Sequence, residues 1–258
     1  MNVPAGLDSA LQKLAAAGTL LVALDFDGVL APLVDDPSSS RPLPASADAV
    51  RALAGAPATT VVMVSGRGRD DLAAVSGFAP PVGLVGSHGA EFDDELAARL
   101  GRGGLLTDEQ ARRRTELLAG LQELVDAAPG ARLETKPAGG AVHVRGMDPD
   151  AGRALLERVS REWEHGDVDG TAGKDVLDLA VLRTSKGSAV RTLRESLGAD
   201  AVFFAGDDVT DETAFRVLEG GDTDVGVKVG DGDTAAGYRV AGPEALSAVL
   251  TRLAELRR

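Results

Sequence analysis

The chain has 258 residues, no cysteine and a formal charge of −13. Without cysteine there is neither a disulfide nor thiolate chemistry, and so acidic a chain argues against the positive face that nucleic acid or an anionic membrane demands. Apolar residues make up 44% of the sequence and aromatics only 3%, so any core has to be built from Ala, Val and Leu.

The first predicted elements are a helix tail and a strand within the uncharged run 14–24, the strand covering 19–24 (TLLVAL). That run lacks the basic leader of a signal peptide and ends in Asp25. No stretch approaches the roughly 18 apolar residues of a membrane span. The expectation is a soluble, cytoplasmic protein. A rigid loop follows at 37–44 (PSSSRPLP), then a helix at 46–54, a strand at 59–64, a helix at 69–75 and a strand at 82–85. The linker 100–104 holds three glycines and is a candidate hinge.

The middle of the chain has a different rhythm. A long Arg- and Glu-rich helix at 107–127 precedes strands at 131–135 and 141–145, split by a turn at 137–140. A second helix at 150–164 leads to a hairpin around 167–178. Helix, two strands, helix, two strands is an α+β unit in its own right. After it come a helix at 187–197, a strand at 201–205, a helix at 211–218, a strand at 224–229 and a helix at 243–256. Apolar runs such as TTVVMVS and DAVFFAG, bounded by Gly, Asp and Ser, suit strands covered on both faces. The fold class is therefore α/β: a doubly wound parallel sheet at 1–102 and 183–258, with an α+β unit inserted at 103–182.

Ligands of doubly wound sheets sit at the carboxyl ends of the strands, and polar residues gather there. Asp25 and Asp27 follow the first strand, and Ser65-Gly66-Arg67 the second. Ser87-His88-Gly89, with Glu91 close behind, follows the third; Lys186 opens a helix; and GDDVTDE, holding Asp207, Asp208 and Asp211, follows the strand at 201–205. Each alone has a plain explanation: aspartates make turns and cap helices, a serine caps, and a lone lysine is solvated. Together, in this order, they point to phosphoryl transfer. Asp25 and Asp27 are two apart and can face one side of an extended tip, one to attack phosphorus and one to move protons. Carboxylates from two strand ends, Asp25 with Asp207 and Asp208, suit a hard cation such as Mg²⁺. Ser65 and Lys186 can hold phosphoryl oxygens, and Gly28 and Gly66 leave room for backbone to approach a phosphate.

The motifs DFDGVLAPL, SGR, the lysine of TSKG and GDDVTDE together resemble the haloacid-dehalogenase (HAD) superfamily of aspartate-nucleophile phosphatases. With GSHGAE, ETKPAGGAVHVR, GKDVLDL and VGDGDTAAGY, nearly the whole chain resembles the trehalose-6-phosphate phosphatases. The resemblance implies an HAD-like core and a cap domain at 103–182. It implies Asp25 as nucleophile, Asp27 as general acid and base, and Ser65 and Lys186 as phosphate holders. Mg²⁺ falls to Asp25, the backbone carbonyl of Asp27, Asp207 and Asp208, with Asp211 in support. It further implies a sugar-phosphate substrate bound by Glu134, Lys136, His143, Arg145, Lys174 and Asp178 of the cap, and by Arg67, His88 and Glu91 of the core. The expected protein is a monomer that binds neither nucleic acid nor membrane.

The cap residues have plainer explanations as well. Glu134 and Lys136 make an ordinary exposed pair, His143 a cross-strand partner, and Arg145 a side chain reaching for solvent. Val29 stands where the family usually has threonine, Asp178 where it has glutamate, and Ala180-Val181 where it has Arg-Pro. These departures leave a sucrose-phosphate or glycosyl-3-phosphoglycerate phosphatase as alternatives, with a phosphomutase and a non-catalytic sugar-phosphate-binding regulator further off. A receiver domain is about half this length and carries its acidic pair and phospho-acceptor on different strands.

Overall fold

The computed structural model describes residues 3–100, 106–221 and 223–258. The glycines of the candidate hinge, Gly101, Gly103 and Gly104, lie outside these. Among the described residues the strands are, in chain order, β1 (Leu20–Leu24), β2 (Thr59–Val64), β3 (Gly83–Gly86), β4 (Glu91–Phe92), β5 (Arg132–Lys136), β6 (Gly139–His143), β7 (Asp169–Gly173), β8 (Val176–Ala180), β9 (Ala201–Gly206), β10 (Val225–Val229) and β11 (Tyr238–Val240). The helices are α1 (Ala5–Ala15), α2 (Pro44–Ala54), α3 (Arg69–Ser76), α4 (Asp94–Arg99), α5 (Asp108–Asp126), α6 (Pro149–Trp163), α7 (Lys186–Leu197), α8 (Glu212–Val217) and α9 (Pro243–Leu256). The chain divides into two compact units, Met1–Gly103 with Thr184–Arg258, and Gly104–Arg183.

The first unit is built on one sheet in the order β11-β10-β9-β1-β2-β3-β4. Its pairings are parallel except for β4, which runs antiparallel to β3. β1 is central, fully buried, and paired with β2 on one side and β9 on the other. Its side chains alternate between two cores, as the pleat requires. Leu20, Val22 and Leu24 join α1, α2, α3 and α9, while Leu21 and Ala23 join α4, α7 and α8. The chain leaves β1 toward β2 and returns on the β9 side, so the order reverses at β1, where such sheets form their crevice.

The second unit is an antiparallel sheet, β5-β6-β8-β7, with α5 and α6 on one face. Leu133, Val142, Leu177 and Leu179 pack against those helices. The hairpin is tighter than the expected turn at 137–140. β6 begins at Gly139, where a side chain would strike the Leu179 carbonyl of the neighbouring strand and only glycine fits. β6 consequently ends at His143, and Arg145, expected within the strand, lies beyond it. β4, β11 and α4 were not expected: the two strands have two and three residues and α4 only six, too short for a periodic signal.

Candidate active site

The polar tips of β1, β2 and β9, with the start of α7, line one open cleft. β1 delivers Asp25 directly, because the Asp25 amide continues the ladder by donating to Ala205 O at 3.0 Å. Asp25 is 5% exposed, Lys186 2% and Asp211 0%. These three form a chain of charges. Lys186 Nζ lies 2.7 Å from Asp25 Oδ2 and 2.7 Å from Asp211 Oδ1. Asp25 Oδ1 accepts from the Phe26 amide at 2.7 Å, and Asp211 Oδ2 from the amides of Asp207 and Asp208, each at 2.9 Å.

Burial, with the neighbouring Asp211 charge, outweighs Lys186 and pushes Asp25 from 3.8 up to about 7. Burial works against the charged form of Lys186 as well, but its two carboxylates together hold it above its ordinary value. Asp207 is pushed up to about 6 by burial and by the charge of Asp211.

Asp27 sits in a different setting. Arg67 grips its carboxylate with both prongs, Nε to Oδ2 at 2.6 Å and Nη2 to Oδ1 at 2.9 Å, and Ser40 Oγ donates to Oδ1 at 2.9 Å. Burial opposes ionisation there, but these bonds win and hold Asp27 below its ordinary value. Two carboxylates two residues apart on one strand tip are thus driven in opposite directions. Environments that push two neighbouring carboxylates apart in this way mark a functional-site candidate.

Glycines make the room. Gly28, at φ +72°, lies against the Asp207 carboxylate, and a Cβ on Gly66 would come within 2.6 Å of His88 Cε1. Ser65 is buried, its amide donating to Val85 O, and it lines the cleft with Gly66 and Arg67. His88 also lines it, held at φ +54° by its amide bond to Ser65 O. Such a conformation is rare for a residue other than glycine and clusters at functional sites. Glu91 does not line the cleft. It fastens two loops, accepting from the Arg69 amide and from Ser87 Oγ, each at 2.8 Å.

Oxygens of Asp25, Asp207 and Asp211 lie within 4.8 Å of one another. Two of the three carry raised pKa values, and the cleft lining sets four carboxylates (Asp25, Asp27, Asp207, Asp208) against two cations (Lys186, Arg67). An all-oxygen, electron-rich set of this kind fits a hard divalent cation. Asp211 is the weakest donor, since Lys186 and two amides already occupy its oxygens. Asp208 is exposed and caps the following turn by accepting from the Val209 amide, so it stands outside the compact group.

In the second unit, strand register collects the expected polar residues on the face away from the helices. Glu134 pairs with Ala141, and Ala141 with Asp178; Lys136 stands two residues beyond Glu134, and His143 two beyond Ala141. Arg132 and Thr171 share that face and were not anticipated. His143 Nε2 is 2.8 Å from Glu134 Oε2, and Lys136 pairs with Asp178. Lys174 lies in the β7–β8 turn, and Arg145 at the same end of the sheet, beyond β6. Sequence reasoning also missed Ser40, Thr210 and Lys228 in the first unit. Thr210 lines the cleft with a buried hydroxyl that has no hydrogen-bond partner, and the buried Lys228 donates to the Asp207 carbonyl at 2.6 Å.

Residues 23–244 match the family model described as trehalose-phosphatase. The chain belongs to the trehalose-phosphatase family. It is 32% identical to the bifunctional trehalose-6-phosphate synthase/phosphatase of Thermoproteus tenax over 96% of this chain and 33% of that protein. It is also 32% identical to a trehalose-phosphate phosphatase of Mycolicibacterium paratuberculosis, over 91% of this chain and 62% of that one. The chain thus spans a third to about three fifths of the length of these relatives. A solved trehalose-6-phosphate phosphatase of Aspergillus fumigatus superposes with a TM-score of 0.71 at 25% identity, covering 96% of this chain and 97% of that one. The expected HAD-like core with its parallel sheet is the fold of this trehalose-phosphatase family member. No helix of the described residues is long and apolar enough to cross a membrane.

Proposed function

We propose that the chain is a Mg²⁺-dependent phosphatase that converts trehalose 6-phosphate to trehalose and phosphate through a phosphorylated Asp25. The observation that carries this reading is the buried Asp25–Lys186–Asp211 chain with Asp27 two residues along the same tip. In the first step an Asp25 oxygen attacks phosphorus and the phosphorus–sugar-oxygen bond breaks; Asp27, ionised in the fold until the negative charge of the phosphate beside it favours uptake of a proton, gives that proton to the departing oxygen. In the second, Asp27 takes a proton from water as that water attacks phosphorus. The bond to Asp25 then breaks and inorganic phosphate leaves. Lys186 and the Ser65 hydroxyl hold the phosphoryl oxygens, and Asp211 fixes Lys186. Asp25, Asp207 and the Asp27 carbonyl hold Mg²⁺, with Asp208 nearby. When bound, the ion neutralises charge that two paired cations leave uncompensated.

The second unit acts as the cap that reads the sugar, through the polar face carrying Glu134, Lys136, His143 and Asp178, with Arg145 and Lys174 at its end. Phosphate release from trehalose 6-phosphate, sucrose 6-phosphate, glucose 6-phosphate and a glycosyl-phosphoglycerate tests the reading. A site built to hydrogen-bond one sugar discriminates strongly against those that leave its groups unpaired. Preference for trehalose 6-phosphate is expected. Preference for another member reassigns the sugar and leaves the chemistry of Asp25 and Asp27 in place.

A further inference from the structure

We propose that Arg67, together with Ser40, is a positioning residue that aims the Asp27 carboxylate, rather than a contact for substrate; this rests on the roles proposed above for Asp25 and Asp27. Of the five guanidinium N–H groups, four are already spent inside the protein. Nε donates to Asp27 Oδ2, Nη2 to Asp27 Oδ1 and to Pro37 O at 2.8 Å, and Nη1 to Asp71 Oδ2 at 2.7 Å. The guanidinium also lies over the Phe26 ring, 5.9 Å from its centre, and the side chain is 11% exposed. Its partners come from three places: the tip of β1, the 3₁₀ turn at Pro37–Ser39, and α3. Arg67 is therefore a fixture braced between elements, with little left to offer an incoming sugar phosphate.

What hangs from this fixture is Asp27. Its carboxylate receives the two-pronged fork on both oxygens and, on Oδ1 as well, the hydroxyl of the fully buried Ser40. Three hydrogen bonds from two residues fix both the position and the plane of the carboxylate, and a proton-transfer group needs that orientation. The fork is specific to the planar guanidinium. A lysine keeps the charge but cannot make two parallel bonds. Ser40 comes from the loop after Leu30 that a sequence reading takes as a mere spacer, so this loop acquires a part in aiming Asp27.

The test separates the group that needs a proton from the one that does not. In single turnovers with enzyme in excess, at saturation and with Mg²⁺ present, the sugar leaves trehalose 6-phosphate only with a proton from Asp27. From p-nitrophenyl phosphate, p-nitrophenolate leaves as a stable anion and needs none. Arg67→Lys is expected to slow sugar release about 100-fold and p-nitrophenolate release less than about threefold, the size of a lost acid–base contribution. Ser40→Ala is expected to show the same asymmetry at about fivefold, the loss of one hydrogen bond, and carries the comparison if Arg67→Lys does not fold. Equal slowing of both substrates overturns the proposal, as does an unchanged rate with weakened sugar-phosphate binding. Asp27→Asn is the reference. Asymmetry there but not in Arg67→Lys or Ser40→Ala overturns the positioning role alone, whereas its absence in Asp27→Asn overturns the proposed acid–base role and this inference with it.

Discussion

Lys186 stands between two carboxylates, 2.7 Å from Asp25 and 2.7 Å from Asp211, all three buried, at the start of α7, the tip of β1 and the start of α8. The ammonium pairs with both carboxylates and offsets their mutual repulsion. Lys186→Met keeps the apolar stem and deletes the charge. It is expected to destabilise the protein by about 3 kcal/mol, because buried charge is left without its partner. Urea denaturation measures this, and an unchanged midpoint contradicts it.

Gly28 turns the chain at φ +72° with its α-carbon against the Asp207 carboxylate. Gly28→Ala adds a methyl where that carboxylate sits and costs about 1 kcal/mol for the left-handed backbone besides. Asp207 has to swing away. Mg²⁺ affinity measured by titration calorimetry is expected to fall at least about tenfold, the scale of a displaced ligand support.

A proton and a bound cation would compete for the same carboxylates. Burial holds Asp25 at about 7 and Asp207 at about 6, above their ordinary 3.8. Between about pH 4 and 7 the fold therefore binds more protons at these groups than the unfolded chain does. Their contribution to stability is present at low pH and lost as pH rises through those values. A cation that replaces the protons restores it. The rise in melting temperature on adding Mg²⁺ is expected to be larger at pH 7.5 than at pH 5.5, as mass action on the ionised site requires. An equal rise at both pH values contradicts the site.

His143 and Glu134 pair on the open face of the second unit's sheet, away from its core. His143→Ala is expected to leave thermal stability within about 0.5 kcal/mol, as for a surface substitution. It is also expected to raise KM for trehalose 6-phosphate about tenfold, the loss of one good polar contact. Turnover of p-nitrophenyl phosphate should not change. Equal loss on both substrates contradicts a sugar-reading role.

Much of this was legible in the chain. β1, β2, β9 and β10 are buried almost throughout, so they appear as unbroken apolar runs whose ends stand out by their aspartates and serines. Asp25, Asp27, Ser65, Lys186 and Asp207 are visible because strand tips in a parallel sheet converge. Ser40 is not visible, being one of three serines in PSSSR, and only the fold turns it inward to Asp27. Lys228 is hidden inside the apolar VGVKV, where its ammonium finds the Asp207 carbonyl. Arg67 was legible as a site residue, but its partner depends on long-range geometry: Asp27 lies 40 positions away. The hairpin of the second unit was misplaced because Gly139 and Gly140 read as turn residues, whereas close backbone packing puts both in β6.

Everything in the proposed reaction turns on Asp25 taking the phosphoryl group. The most direct measurement is phosphate release from trehalose 6-phosphate by the native chain and by Asp25→Asn, side by side, with Mg²⁺ and with EDTA. Release by the native chain should disappear with EDTA, and the rate for Asp25→Asn should be lower by at least about 1,000-fold, since the amide is neither nucleophile nor anionic ligand. The folded state of Asp25→Asn should persist, because loss of the buried charge leaves Lys186 still paired with Asp211. An Asp25→Asn protein that releases phosphate at the native rate would rule out Asp25 as the nucleophile.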